Sequence, residues 1–176
     1  MGNCRKHIDP FVDLNCTFES GRVNSLAFVS EEKAAAADAD TNLWSSAAFW
    51  EAETYSGDIL IHQEVSGEYA GADVLGQGKG TQQERLIGKT HTLTCQVEGV
   101  KSNYKYWDDL GVSTGYRVVW VGDFYQILFV GTTNAKISAN MLQANDLNTI
   151  MEWEVVCTWS DIRIPETYDV PAGIFN

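Results

Sequence analysis

Basic residues are scarce in this chain: 12 lysines and arginines face 24 aspartates and glutamates, for a net charge of −12 over 176 residues. A surface this acidic repels phosphate backbones, which argues against nucleic-acid binding driven by counterion release. Long apolar runs are missing too. None approaches the ~18 residues that a membrane-spanning helix requires, and no secretory leader pattern is present. Met1-Gly2-Asn3-Cys4 carries the glycine of an acylation signal, but Lys6 stands where that signal has Ser or Thr. The four cysteines, Cys4, Cys16, Cys95 and Cys157, lie too far apart to suggest a disulfide framework, so free thiols are expected. Cys4, His7 and Cys16 offer three metal donors, one short of a structural zinc set, so no metal is expected. The three histidines are dispersed, and neither a Gly-x-Ser-x-Gly elbow nor a His-Glu-x-x-His helix accompanies them.

What the chain does contain is apolar mass. Hydrophobic residues make up 44%, with six Trp, seven Tyr and seven Phe, enough for the core of one domain over residues 1–176. Its most informative stretch runs from Asp58 to Glu98: two polar, β-patterned arms around a glycine-rich centre. In the second arm Ile87, His91, Leu93, Cys95 and Val97 fall on one face, and Thr90, Thr92, Thr94 and Gln96 on the other. Such alternation marks a strand dry on one side and wet on the other. The arms could run longer than the usual five or six residues. A long hairpin with few apolar residues near its tip is expected to need a neighbouring copy rather than to fold back on its own core. His62 and His91 are expected to face one another across the arms.

The rest reads as strands interrupted by two helical pieces. Arg22 to Ser30 is a first strand. Glu31 to Glu53 is helical, with Leu43, Ala47 and Trp50 at helical spacing, Asp40 or Thr41 as cap and Gly57 as stop. Val100 to Leu110 is a short helix presenting Tyr104 and Trp107, stopped by Gly111. Tyr116–Val121 and Phe124–Val130 flank Gly122-Asp123 as a hairpin. Asn134 to Asn145 is ambiguous, and Thr149 to Trp159 alternates as a final strand before Ile164-Pro165. The expected fold is mainly β: a sandwich or barrel of about six strands, one or two short α-helices and a long β-hairpin arm. Residues 1–54 are expected to form an N-terminal extension with a helix, and residues 55–176 the β core.

No pattern carries chemistry. Gly76-Gln77-Gly78-Lys79-Gly80-Thr81 lacks both the leading glycine and the trailing Ser or Thr of a phosphate loop, and β-patterned sequence follows it. It is read as a flexible strand-to-strand tip. Asp108 and Asp109 are adjacent on a helix and diverge. Glu152 and Glu154 share a solvated strand face, and Trp107, Trp120 and Trp153 have the spacing of core residues. Neither an enzyme nor a cofactor is expected.

Taken in order, GKGTQQERLIGKTHTLTCQVEGVKSNYKYWDDL, YRVVWVGDFYQILFV and MEWEVVCTWSDIRIPETYDVPAGIF resemble bacteriophage tail tube (major tail) proteins over residues 55–176. The resemblance lies in pattern and architecture rather than in a diagnostic motif. It implies a virion protein, assembled in the host cytoplasm, that forms rings (hexamers in that family) stacked into a DNA-conducting tube. It also implies other tail or connector proteins as partners, with DNA only as passing cargo. Glu64, Glu68, Glu84 and Glu98 become candidates for wall or inter-ring positions, Glu84 and Glu98 for the lumen in particular. Gly76, Gly78, Lys79 and Gly80 form the arm, and Lys79, Arg85 and Lys89 would pair with acidic neighbours on an adjacent copy. A head–tail connector or tail terminator ring, a β-sandwich module binding carbohydrate or protein, and a small enzyme are the competing readings.

Overall fold

The computed structural model describes residues 22–76, 85–99, 103–122, 126–143 and 151–175. The most apolar runs form the middle layer. β1 (Ser25–Ser30) buries Leu26 and Phe28 on one face and Ala27 and Val29 on the other. β5 (Tyr116–Gly122) does the same with Val118 and Trp120 against Val119 and Val121. A strand buried on both faces reads as continuous rather than alternating hydrophobicity. These two are central in a five-stranded antiparallel sheet, completed by β2 (Ile59–His62), β6 (Ile127–Asn134) and β9 (Glu166–Asp169) in the order β2-β1-β5-β6-β9.

One face of that sheet is covered by α1 (Glu31–Ala39), a 3₁₀ turn (Thr41–Ser45) and α2 (Ala47–Ser56). Their buried Ala34, Ala37, Trp44 and Trp50 meet Phe175 near the C-terminus, and Trp50 Nε1 donates to the Trp44 carbonyl at 2.9 Å. The other face packs on a second antiparallel sheet, ordered β3-β4-β8-β7: β3 (Ser66–Gly76), β4 (Arg85–Glu98), β8 (Glu152–Asp161) and β7 (Lys136–Leu142). Its strands alternate as a half-exposed sheet should, with Leu93, Cys95, Trp153, Val155, Cys157 and Trp159 inside. The last helix, α3 (Tyr104–Val112), packs along β7 and inserts Trp107 and Leu110 between the sheets. The fold is thus mainly β, a two-sheet sandwich, as expected, with α1, the 3₁₀ turn and α2 on the far face of one sheet and α3 against the other.

Several details differ from the sequence reading. The first arm is not one strand: β2 and β3 belong to different sheets, joined by a turn in which Glu64 takes φ 56° and Val65 is buried. That turn is fixed by the Val65 N–H donating to Asn24 O and by the bridge between Val23 and Gly67. The helix expected over 31–53 is three pieces. Asp40 accepts from the Asn42 N–H to start the 3₁₀ turn, and Ser46 Oγ accepts from the Phe49 N–H to start α2. Gly57, left-handed at φ 87°, ends α2 as expected. α3 runs past Gly111 to Val112. Two strands went unforeseen, β7 in the ambiguous polar segment and β9 after Pro165. The boundary expected after residue 54 does not exist among the described residues, because β1 lies between β2 and β5 in mid-sheet.

Candidate assembly surfaces

The β3–β4 hairpin is anchored by aromatic stacking at its base. Tyr69 stacks on Trp120 at 5.0 Å, and its hydroxyl meets His91 Nδ1 at 2.7 Å. His91 is fully buried against Trp159, and its Nε2 lies 3.2 Å from the Asp161 carbonyl oxygen. A carbonyl only accepts, so Nε2 carries the proton and Nδ1 accepts from Tyr69. Burial raises the Tyr69 pKa above the usual phenol value. Burial would also raise the Asp161 carboxyl, but hydrogen bonds from Arg163 outweigh it and hold that group at about 2. His62, expected opposite His91, instead sits in the other sheet opposite Leu26. There it stacks on Trp107 at 5.0 Å and meets the Tyr106 hydroxyl at 2.8 Å, and burial lowers its pKa to about 4.

β4 pairs with β3 on one side and with β8 on the other, from Lys89↔Asp161 to Glu98↔Glu152. Most of the arm therefore belongs to the chain's own sheet, contrary to the expectation that it needs a neighbour to be seated. Among the described residues of β4, those before Lys89 extend beyond β8, a projection of about 14 Å at ~3.4 Å per residue. Four apolar side chains are exposed on this projection: Val74 40%, Leu75 52%, Leu86 40% and Ile87 64%. A β-bulge between Val74 and Leu75 sets Leu75 opposite Leu86. Along the other side of β3, Glu68 to Gly76 have no strand partner among the described residues.

Among the described residues no helix covers the outer face of this sheet. Glu68 and Thr94, Gln96 and Glu154, and Glu98 and Glu152 stand on neighbouring positions there, with Glu98 directly opposite Glu152. Like charges directly opposite each other are destabilising. At its far end Met141, Leu142, Met151 and Tyr104 are exposed.

Of the residues singled out from sequence, Glu68 and Glu98 share this outer face, whereas Glu64 lies in the turn between the sheets and off the arms. Lys89 is not free for a neighbouring copy: its Nζ is 2.6 Å from Asp73 Oδ1 on the facing strand. Gly76 ends β3 and Arg85 begins β4, the latter described by its backbone alone. Gly78, Lys79, Gly80 and Glu84 lie outside the described residues, as do Cys4, His7 and Cys16. Sequence reading missed the four exposed apolar residues of the projection, although Ile87 belonged to the alternating face it recognised.

Cys95 and Cys157 are free and buried, and burial raises both thiols, Cys95 to about 12. Among the described residues no cluster of three or more His, Cys, Asp or Glu could hold a metal ion. No helix among them is long and apolar enough to cross a membrane. A polar groove of about 740 Å³ lies where the 3₁₀ turn meets β6 and β9, and an apolar cleft of about 480 Å³ shares its Phe129 and Thr167. Compared with known proteins, the chain matches no family, no curated protein and no solved structure.

Proposed function

We propose that this chain is a structural subunit that assembles with copies of itself into stacked rings, forming a tube of the phage tail type through which DNA passes. The observation that carries this reading is the side of β3 from Glu68 to Gly76, nine residues with no strand partner among the described residues, leading into a projection with four exposed apolar side chains. An unpaired strand of that length is a template for another chain, and closing a barrel across subunits removes such edges. Exposed apolar side chains on a projecting arm are the usual mark of a protein contact. The outer face with Glu68, Glu98, Glu152 and Glu154 suits a channel wall, because carboxylates there repel phosphates and keep passing DNA from sticking.

Negative-stain microscopy and light scattering of the purified full chain test this. Rings or tubes are the expected result. A 19.5 kDa monomer that persists at high concentration overturns the assembly reading.

A further inference from the structure

We infer that the polar groove beside β9 binds a neutral saccharide. The inference does not depend on the assembly reading. Thr41, Asn42 and Ser45 enter the groove from the 3₁₀ turn, Gln126 and Phe129 from β6 and its leading turn, and Asp169 from β9. The 3₁₀ turn that presents the first three is pinned by buried Trp44 beneath it. Asn42 is held in place as well: its backbone N–H and its side-chain Nδ2 both donate to Asp40 Oδ1, which leaves the amide oxygen as an acceptor.

The chemistry narrows the ligand. Hydroxyls and amides both donate and accept, as the hydroxyls of a sugar do, so the hydroxyl and amide side chains of the groove, Thr167 and Tyr168 among them, and its one carboxylate match a polyol from either direction. No lysine or arginine among the described residues lines the groove, and the chain carries a net charge of −12, so phosphates and acidic sugars are disfavoured. Phe129 supplies an apolar wall. It is half-buried, with one ring face stacked on Trp120 at 5.4 Å and 10° between planes. At about 740 Å³ the groove falls within the ~300–1,000 Å³ range of small-molecule sites.

The test uses the full chain on an array of neutral and acidic oligosaccharides, followed by titration calorimetry with whichever oligosaccharide is retained. Saturable binding of a neutral oligosaccharide is expected, weakened roughly tenfold by Gln126→Ala and by Asp169→Ala, as loss of a ligand hydrogen bond worth ~1.4 kcal/mol implies. Both residues are exposed, so the variants should melt with the native protein, and circular dichroism verifies that. Retention of no oligosaccharide, retention of acidic ones only, or equal binding by both variants overturns the inference.

Discussion

Gly67 leaves no room for a side chain. A Cβ there would stand 2.5 Å from the Thr94 carbonyl oxygen and 2.7 Å from Cys95 Sγ, while Gly88 further along the hairpin faces open space. Overpacking against backbone costs about 1–3 kcal/mol, so Gly67→Ala should lose that much in urea denaturation and Gly88→Ala much less. His62 makes a different prediction. Burial depresses its folded pKa to about 4 against 6.5 in the unfolded chain, so between those values the unfolded state binds more protons. Stability then falls as pH drops from about 6.5 toward 4, by at most ~1.4 kcal/mol per pH unit from this one group. Denaturant melts of native protein and His62→Gln across that range should converge on a common slope above pH 6.5 and separate below it. Parallel curves throughout would remove His62 as the cause. Arg117 shows which partner of an ion pair matters more. Its guanidinium is buried and meets Asp38 at 2.6 Å and Glu31 at 3.5 Å, both half-exposed, while its Nε has no hydrogen-bond partner among the described residues. Removing Asp38 leaves a buried cation with only the longer contact to Glu31, whereas removing the cation leaves two hydrated carboxylates. Asp38→Ala should therefore cost about 1–3 kcal/mol, and Arg117→Met clearly less, by the same urea measurement.

Among the elements, the hairpin projection exposes four apolar side chains close together, Val74, Leu75, Leu86 and Ile87. Leu75→Glu and Ile87→Glu should leave stability within about 0.5 kcal/mol of native, because both side chains are already exposed. If the projection joins copies, the same variants should reduce rings or tubes to smaller species in light scattering; unchanged assembly would take that role from it. Removing the stretch from Ala70 onward would be a poorer test, since Ala70–Gly76 are rungs paired with β4. Legibility in the sequence followed how each element is buried. β4 and β8 face core on one side and water on the other, so Leu93, Cys95, Trp153 and Val155 announced themselves by alternation. β1 and β5 were visible as apolar runs, but nothing in a run tells that it lies under helices as well as under a sheet. β7 escaped because only Ile137 of its seven residues is buried, and β9 because it is four residues at a sheet edge. The acidic outer face was half legible. Glu152 and Glu154 were seen to share a side, yet their position beside Gln96 and Glu98 depends on a pairing between segments more than 50 residues apart. The groove at the 3₁₀ turn was invisible for the same reason, since Asn42, Gln126 and Asp169 carry no common pattern and meet only through the fold.

At the scale of the whole molecule, charge opposes the association proposed for the strand edge and projection. Each copy carries −12, and four carboxylates stand together on the outer face of one sheet, Glu98 and Glu152 directly across from each other. Bringing copies side by side concentrates that charge further, a repulsion that salt screens as the Debye length shrinks from about 30 Å at 0.01 M to about 3 Å at 1 M. Apolar contacts and strand pairing do not weaken in the same way as salt is added. If copies assemble as proposed, the assembled fraction, followed by light scattering at fixed protein concentration, should therefore rise with sodium chloride across that range. Glu98→Gln with Glu152→Gln removes two of the facing charges without altering side-chain size, so this variant should assemble at lower salt than the native chain. Assembly that declines with added salt would mean that copies are joined by ion pairs between opposite charges, and would place the contact away from the apolar projection and the acidic face.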